Sequence, residues 1–134
     1  MDKYVASVSF GKDSLAMLLK IIEQELPLDE VVFYDTGMEF EAIYNIRNKI
    51  VPFLKERGIK YVELKPKEPF LYTMFEKPVN KRNGQKAYGY SWCGGRCRWG
   101  TTAKLKAIDD YCKDSVQYVG IAFDETNRLK KERK

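Results

Sequence analysis

Apolar positions along this chain change their period several times, and each change marks an element. Tyr4 to Ser9 is a short β-rich run, after which Leu15, Leu18, Leu19 and Ile22 recur at helical spacing on one side. Pro27 and Asp29 punctuate that helix, and Glu30-Val-Val-Phe-Tyr34 predicts a buried strand. Met38 to Arg57 predicts a second helix, with Phe40, Ile43, Ile50 and Leu54 roughly in register and Gly58 as its stop. Pro52 inside it predicts a kink or a split. Ile59 to Leu64 alternates as a third strand, and Pro66 and Pro69 then break the chain. Phe70 to Phe75 predicts a short helix, while Val79 to Ser91, with Asn83-Gly84 and Gly89, predicts a loop or hairpin. Helical spacing returns from Cys97 to Cys112 through Leu105 and Ile108. Ser115 to Phe123 predicts a fourth strand, and Asp124 to Lys134 a charged tail with a fraying helical start.

Strand–helix–strand alternation implies parallel strands with right-handed crossovers. The expected fold is α/β: a Rossmann-like open parallel sheet, order 3-2-1-4, with helices on both faces, in one domain over residues 1–134. In such sheets ligands sit at the C-terminal strand edge, where the winding direction reverses. That order puts the Ser9–Ser14 turn beside Asp124-Glu125, with Asp35-Thr36-Gly37 on its other flank.

Composition narrows the chemistry. A chain of 134 residues with 44% hydrophobic and 32% charged residues suits one globular domain. No apolar run is long enough to span a bilayer and no charged-then-apolar leader opens the sequence, so a cytoplasmic protein without membrane contact is expected. Three cysteines fit a reducing compartment better than a disulfide framework. The absence of histidine removes histidine general-base chemistry and histidine-ligated zinc. The net charge of +5 is concentrated between Lys77 and Lys106, a block without a single acid. Such a block beside an anion site suggests a polyanionic partner, nucleotide or nucleic acid.

The anion site itself is Ser9-Phe10-Gly11-Lys12-Asp13-Ser14, where a strand feeds a glycine turn that opens a helix. The helix N-terminus leaves backbone N–H groups open, and with the helix dipole and Lys12 these suit phosphate. Asp13 makes sense there if Mg²⁺ stands between carboxylate and phosphate. Ser14 can cap the helix or donate to a phosphate oxygen. The spacing is not that of a Walker loop.

This turn resembles the pyrophosphate-binding loop, Ser-Gly-Gly-Lys-Asp-Ser, of the PP-loop ATP pyrophosphatases, with Phe10 in place of the first glycine. Tyr34-Asp-Thr-Gly-Met-Glu-Phe40 resembles the Asp-Thr-Gly segment of phosphoadenosine phosphosulfate (PAPS) reductases and of the ATP sulfurylase small subunit. Gly120-Ile-Ala-Phe-Asp-Glu-Thr-Asn-Arg128 is similar to their Gly-Ile-Arg-x-x-Glu-Ser-x-x-Arg segment, with Ala122 replacing the usual arginine. Together these identify the chain as a PAPS reductase-like member of the adenine nucleotide α-hydrolase superfamily. The resemblance implies an adenine nucleotide, ATP or a sulfonucleotide, held by Ser9, Phe10, Gly11, Lys12, Asp13, Ser14, Asp35, Thr36, Gly37 and Gly120. It implies catalytic roles for Lys12, Asp13, Glu125 and Arg128, and Mg²⁺ on Asp13 and Asp35. Family members usually continue past this length, so a truncated or minimal version is expected. The catalytic C-terminal cysteine of the sulfonucleotide reductases is missing, whereas the Gly-Lys-Asp-Ser core is intact. Both departures favour ATP cleavage between the α and β phosphates over sulfonucleotide reduction.

Other readings stay open. Asp35 would equally close its strand as a turn residue, and Asp124, Glu125 and Arg128 would equally be exposed charges on a tail. Cys93, Cys97 and Cys112 offer three thiolates for zinc or an iron–sulfur cluster, one ligand short, which a second copy in a homodimer or a further segment would supply. Alternatively Cys97, between Arg96 and Arg98, is a nucleophile, or all three simply pack. Tyr88, Tyr90, Trp92 and Trp99 interleave with the 77–106 basic block and would stack nucleic-acid bases or pack the loop onto the domain. Beside the pyrophosphatase stand two further functions: a non-catalytic nucleotide-sequestering protein, and a nucleic-acid-binding accessory of a sulfur-transfer system.

Overall fold

A computed structural model describes residues 2–90 and 102–120. The elements run β1 (Lys3–Val8), α1 (Lys12–Glu23), β2 (Glu30–Tyr34), α2 (Glu41–Glu56) and β3 (Lys60–Leu64). A π-helical turn at Tyr72–Glu76 follows, then the strands β4 (Pro78–Asn80) and β5 (Lys86–Tyr88), the helix α3 (Lys104–Tyr111) and the strand β6 (Ser115–Val119). The four long strands make one parallel sheet in the order β3-β2-β1-β6, which is the expected 3-2-1-4 with β6 as the fourth strand. The fold is a Rossmann-like α/β sheet.

Strand alternation sorts the core into two layers. Ala6, Val8, Val31 and Phe33 face α1 and α2, where Leu18 and Leu54 are fully buried. Val5, Val32 and Tyr34 face the other way, against Ile108 and Cys112 of the α3 region. Helices therefore cover both faces. Every residue of β2 is buried, which explains why its sequence is a continuous apolar run rather than an alternation.

Several boundaries differ from expectation. The buried positions of α1 are Ser14, Leu18 and Ile21, and Leu19 faces water. The glycine turn sets the helix phase, so the sheet takes the stripe next to the one that counting leucines suggests. α2 starts at Glu41, and Phe40 is its N-cap with its side chain in solvent. Pro52 does not split the helix, because Ile50, Phe53 and Leu54 on either side of it are anchored in the core. The helix expected at Phe70–Phe75 is the π-helical turn, and the expected hairpin is the antiparallel β4–β5 pair. That hairpin lies tightly on the turn: Tyr90 N–H donates to the Thr73 carbonyl at 3.2 Å. A Cβ at Gly89 would collide with the Met74 carbonyl, so this position requires glycine.

At the edge where the strands begin, the Glu30 carboxylate is nearly buried and fully paired. It accepts from the Tyr111 hydroxyl at 2.6 Å and lies 3.0 Å from the Lys3 ammonium and 3.5 Å from that of Lys60. Burial pushes its pKa up, but the Tyr111 and Lys3 hydrogen bonds and the two lysine charges outweigh this and hold it below the usual carboxylate range. Burial, then the hydrogen bond to Glu30, push Tyr111 to about 12.

Candidate functional site

At the opposite edge, β1 runs into the turn at Ser9–Gly11 and out into α1. Ser14 locks this turn from inside. Its hydroxyl accepts from Ser9 N–H at 3.1 Å and donates to the Gly11 carbonyl at 3.3 Å, and it lies 3.2 Å from the Ser9 hydroxyl. Ser14 is therefore a brace of the loop, while Gly11 holds the N-cap position of α1 with no side chain capping the helix. The first-turn N–H groups are left for an outside acceptor. Lys12 and Asp13 are exposed beside them and make no ion pair among the described residues. An uncapped helix start with one free cation is chemically an anion cradle.

Phe10 takes the place where the resembled loop has glycine, and it keeps the glycine conformation, with φ at +60°. A left-handed backbone costs a non-glycine residue about 1–2 kcal/mol. The offset is its ring, which is fully buried and packs at 4.9 Å on Phe33. The Phe10 side chain thus ties the loop to the core.

Gly120 closes the cradle from the neighbouring strand. The parallel register pairs Ser7 with Val119, which brings Gly120 alongside the start of α1. A Cβ there would stand 3.0 Å from Ser14 Cα and 3.2 Å from Ser14 N. Glycine lets the two segments approach this closely without either giving way.

Asp35, Thr36 and Gly37 follow β2 at the same edge. Asp35 Oδ1 accepts from Gly37 N–H at 2.8 Å and from the Tyr44 hydroxyl at 2.7 Å, while Oδ2 lies 3.8 Å from Arg47. Arg47 also donates to Glu63 at 3.2 Å, and Tyr61 donates to the same oxygen at 3.0 Å. Burial and then the hydrogen bond to Asp35 raise the Tyr44 pKa, and burial with the Glu63 bond raises that of Tyr61 further. Thr36 is buried, donates to Glu39 and accepts from Met38 N–H. This loop is a closed polar network. Sequence reading placed Asp35 in it but missed Tyr44, Arg47 and Glu63, whose only signal was the helical spacing of Tyr44 and Arg47 one turn apart.

The remaining sequence candidates divide. Glu125 and Arg128, and Cys93 and Cys97, lie outside the described residues. Cys112 sits at the far edge, at the end of α3, in the apolar cluster with Val5 and Tyr34. Burial pushes its thiol pKa up. Among the described residues no cluster of cysteine and carboxylate side chains is placed to hold a metal. None of the described helices is long and apolar enough to cross a membrane.

Fold and loop together define a Rossmann-like α/β domain with an open helix N-terminus after its first strand. The family model of the phosphoadenosine phosphosulfate reductase domain matches residues 3–133, and the chain belongs to that family, within the adenine nucleotide α-hydrolase superfamily. It is 31% identical over 130 residues to the uncharacterized protein MJ0066 of Methanocaldococcus jannaschii, a match covering 96% of this chain and 25% of that protein. The chain thus spans about a quarter of the length of this relative. No solved structure matches it.

Proposed function

We propose that this chain binds an adenine nucleotide on the Ser9–Ser14 loop and cleaves ATP between the α and β phosphates: water or an acceptor nucleophile bonds to the α-phosphorus as pyrophosphate leaves. The uncapped N-terminus of α1, with Lys12 and Asp13 exposed beside it, carries the reading. The open N–H groups grip the pyrophosphate end of the nucleotide, and Lys12 neutralises the charge that builds as pyrophosphate departs. Asp13 has no partner among the described residues and fits Mg²⁺, which prefers one or two carboxylates plus phosphate oxygens. When bound, the ion would spread the charge of the leaving group. Asp35 fits that task less well, because its two oxygens already face Gly37, Tyr44 and Arg47. Its role is to hold the Thr36-Gly37 turn beside the nucleotide. Glu125 and Arg128 match the family segment, and that resemblance assigns them a role in the transition state. The intact Gly-Lys-Asp-Ser core favours this over sulfonucleotide reduction.

The test is product analysis after incubation with ATP and Mg²⁺. AMP with pyrophosphate is the expected outcome. ADP with phosphate overturns the bond assignment, and bound ATP that stays unchanged even with sulfate, thiol and tRNA acceptors supplied moves the reading to a sequestering protein. Lys12→Ala should weaken nucleotide binding by about 1.5–3 kcal/mol, the loss of one charge-assisted contact. Its melting temperature should barely move, since an exposed, unpaired lysine contributes about 0.5 kcal/mol or less to stability. Equal affinities by titration calorimetry would remove the loop from the ligand site.

A further inference from the structure

A cavity of about 460 Å³ opens at the same strand edge but on the α3 face, and none of Ser9–Ser14 lines it. Its walls come from the end of β2 at Tyr34, the segment after β3, the π-helical turn at Thr73, Tyr90 beyond the hairpin, and α3 at Lys106. The volume is that of a small-molecule site. Tyrosine rings, a proline and two alanines make part of the lining apolar, which suits a flat ring.

The charges are not neutral. Lys77 is paired with Glu68 at 3.1 Å and Lys106 with Asp110 at 3.3 Å, and all four line the cavity. Lys67 also lines it and has no ion-pair partner among the described residues, while Lys65 only reaches Glu63, 3.9 Å away. Two cations are thus in excess. Thr73 adds a second unmet demand: its hydroxyl oxygen is shielded from solvent without a hydrogen-bond partner among the described residues. A buried hydroxyl left unpaired is costly, and natural structures seldom keep one without use.

We propose that this cavity is a second binding site, separate from the Ser9–Ser14 loop, for a phosphate monoester carrying a planar ring, as in a mononucleotide. The ring lies among Tyr34, Tyr90 and the apolar floor, and the phosphate meets Lys67 and Lys65. If the first site holds ATP as proposed above, this is where the acceptor of the adenylyl group binds, one residue of β2 away from Asp35. The basic block seen in the sequence then has a local purpose, since Lys77 and Lys106 at its two ends stand in one cavity. The ligand is either a free nucleotide or the terminal unit of a nucleic-acid strand, because both present the same chemistry.

The experiment is a ¹⁵N NMR titration of the whole chain with uridine 5′-monophosphate, which lacks adenine, and with a 5′-phosphorylated hexauridylate. Shifts at Tyr34, Lys67 and Thr73, with Gly11 to Ser14 unmoved, are expected. Lys67→Ala and Thr73→Val should each weaken the uridylate on the order of tenfold, the effect of one polar contact. Thr73→Val should melt at the wild-type temperature or higher, since it deletes a hydroxyl that bonds nothing among the described residues. A much tighter hexauridylate identifies a nucleic-acid strand, and equal affinities identify a free nucleotide. The proposal is overturned if the uridylate shifts no cavity residue, if both variants bind it as wild type does, or if ATP displaces it by moving the same residues. Failure of ATP to bind the Ser9–Ser14 loop would leave these shifts intact, so the two sites are judged separately.

Discussion

At the edge where the strands begin, Glu30 is ringed by Lys3, Lys60 and Tyr111; at the edge where they end, Lys12 and Asp13 stand exposed with no ion pair among the described residues. The sheet is one object, and its two rims spend their charges differently. A carboxylate that is nearly buried must be paired or it destabilises the fold. Charges beside an uncapped helix start are open to whatever comes to that helix from outside. Asp35 stands between the two cases: it lies on the ligand edge, yet its bonds close inward on Gly37 and Tyr44. Position on the sheet alone does not tell a working residue from a supporting one. The list of partners does.

The largest effect is expected where the open edge meets the core. Phe10→Gly would relieve the left-handed backbone by about 1–2 kcal/mol. It would also empty the fully buried space against Phe33, and truncating a buried phenylalanine costs about 3–5 kcal/mol. The net loss should be on the order of 1–4 kcal/mol by denaturant unfolding. A variant as stable as wild type would mean that the loop, not the ring, holds this edge in place.

Glu30→Gln probes the other rim and should cost about 1–2 kcal/mol, less than a fully buried pair because Lys3 and Lys60 are partly in water. The sign with pH follows from the lowered carboxyl pKa of the folded state. The stabilisation is present above the unfolded value of about 4.3 and is lost as pH falls through the lower folded one. Wild type should therefore lose more stability than the variant between neutral pH and about pH 3. Nucleotide affinity should be equal in both. Parallel acid limbs would show that the charge of Glu30 contributes nothing to the fold.

The strand order was legible because alternation and punctuation survive in the sequence, and the continuous apolar run of β2 already marked a buried strand. The loop after β1 was legible too, since Gly-Lys-Asp-Ser at a strand–helix junction is a local signal. What escaped was everything made by contact across elements. The phase of α1 depends on how Ser14 folds back onto Ser9 and Gly11, and no leucine count contains that. The Asp35–Tyr44–Arg47–Glu63 network joins a turn, a helix and a strand. The cavity draws its lining from five separate stretches. Phe10 stood in the sequence as a departure from glycine within a nucleotide-binding loop, and the packing of its ring on Phe33 is tertiary.

The smallest effect on stability, and the sharpest separation of the two rims, should come from Gly11→Ala. Gly11 has φ −77° and ψ 171°, which alanine adopts freely, and the nearest atom to an added Cβ is Ser9 Oγ at an ordinary 3.4 Å. Folding therefore does not demand glycine here, and the variant should melt within about 0.5 kcal/mol of wild type. The proposed nucleotide site does demand it. Phosphate oxygens reach the open N–H groups only by coming close to this backbone, and a methyl group at the cradle's mouth holds them off. ATP affinity should fall on the order of tenfold, about 1.4 kcal/mol, with the melting curve unchanged. Glu30→Gln shows the reverse pattern, stability lost and affinity kept. Should Gly11→Ala bind ATP as tightly as wild type, the glycine would be an accident of the turn, and the nucleotide would have to be gripped by Lys12 alone.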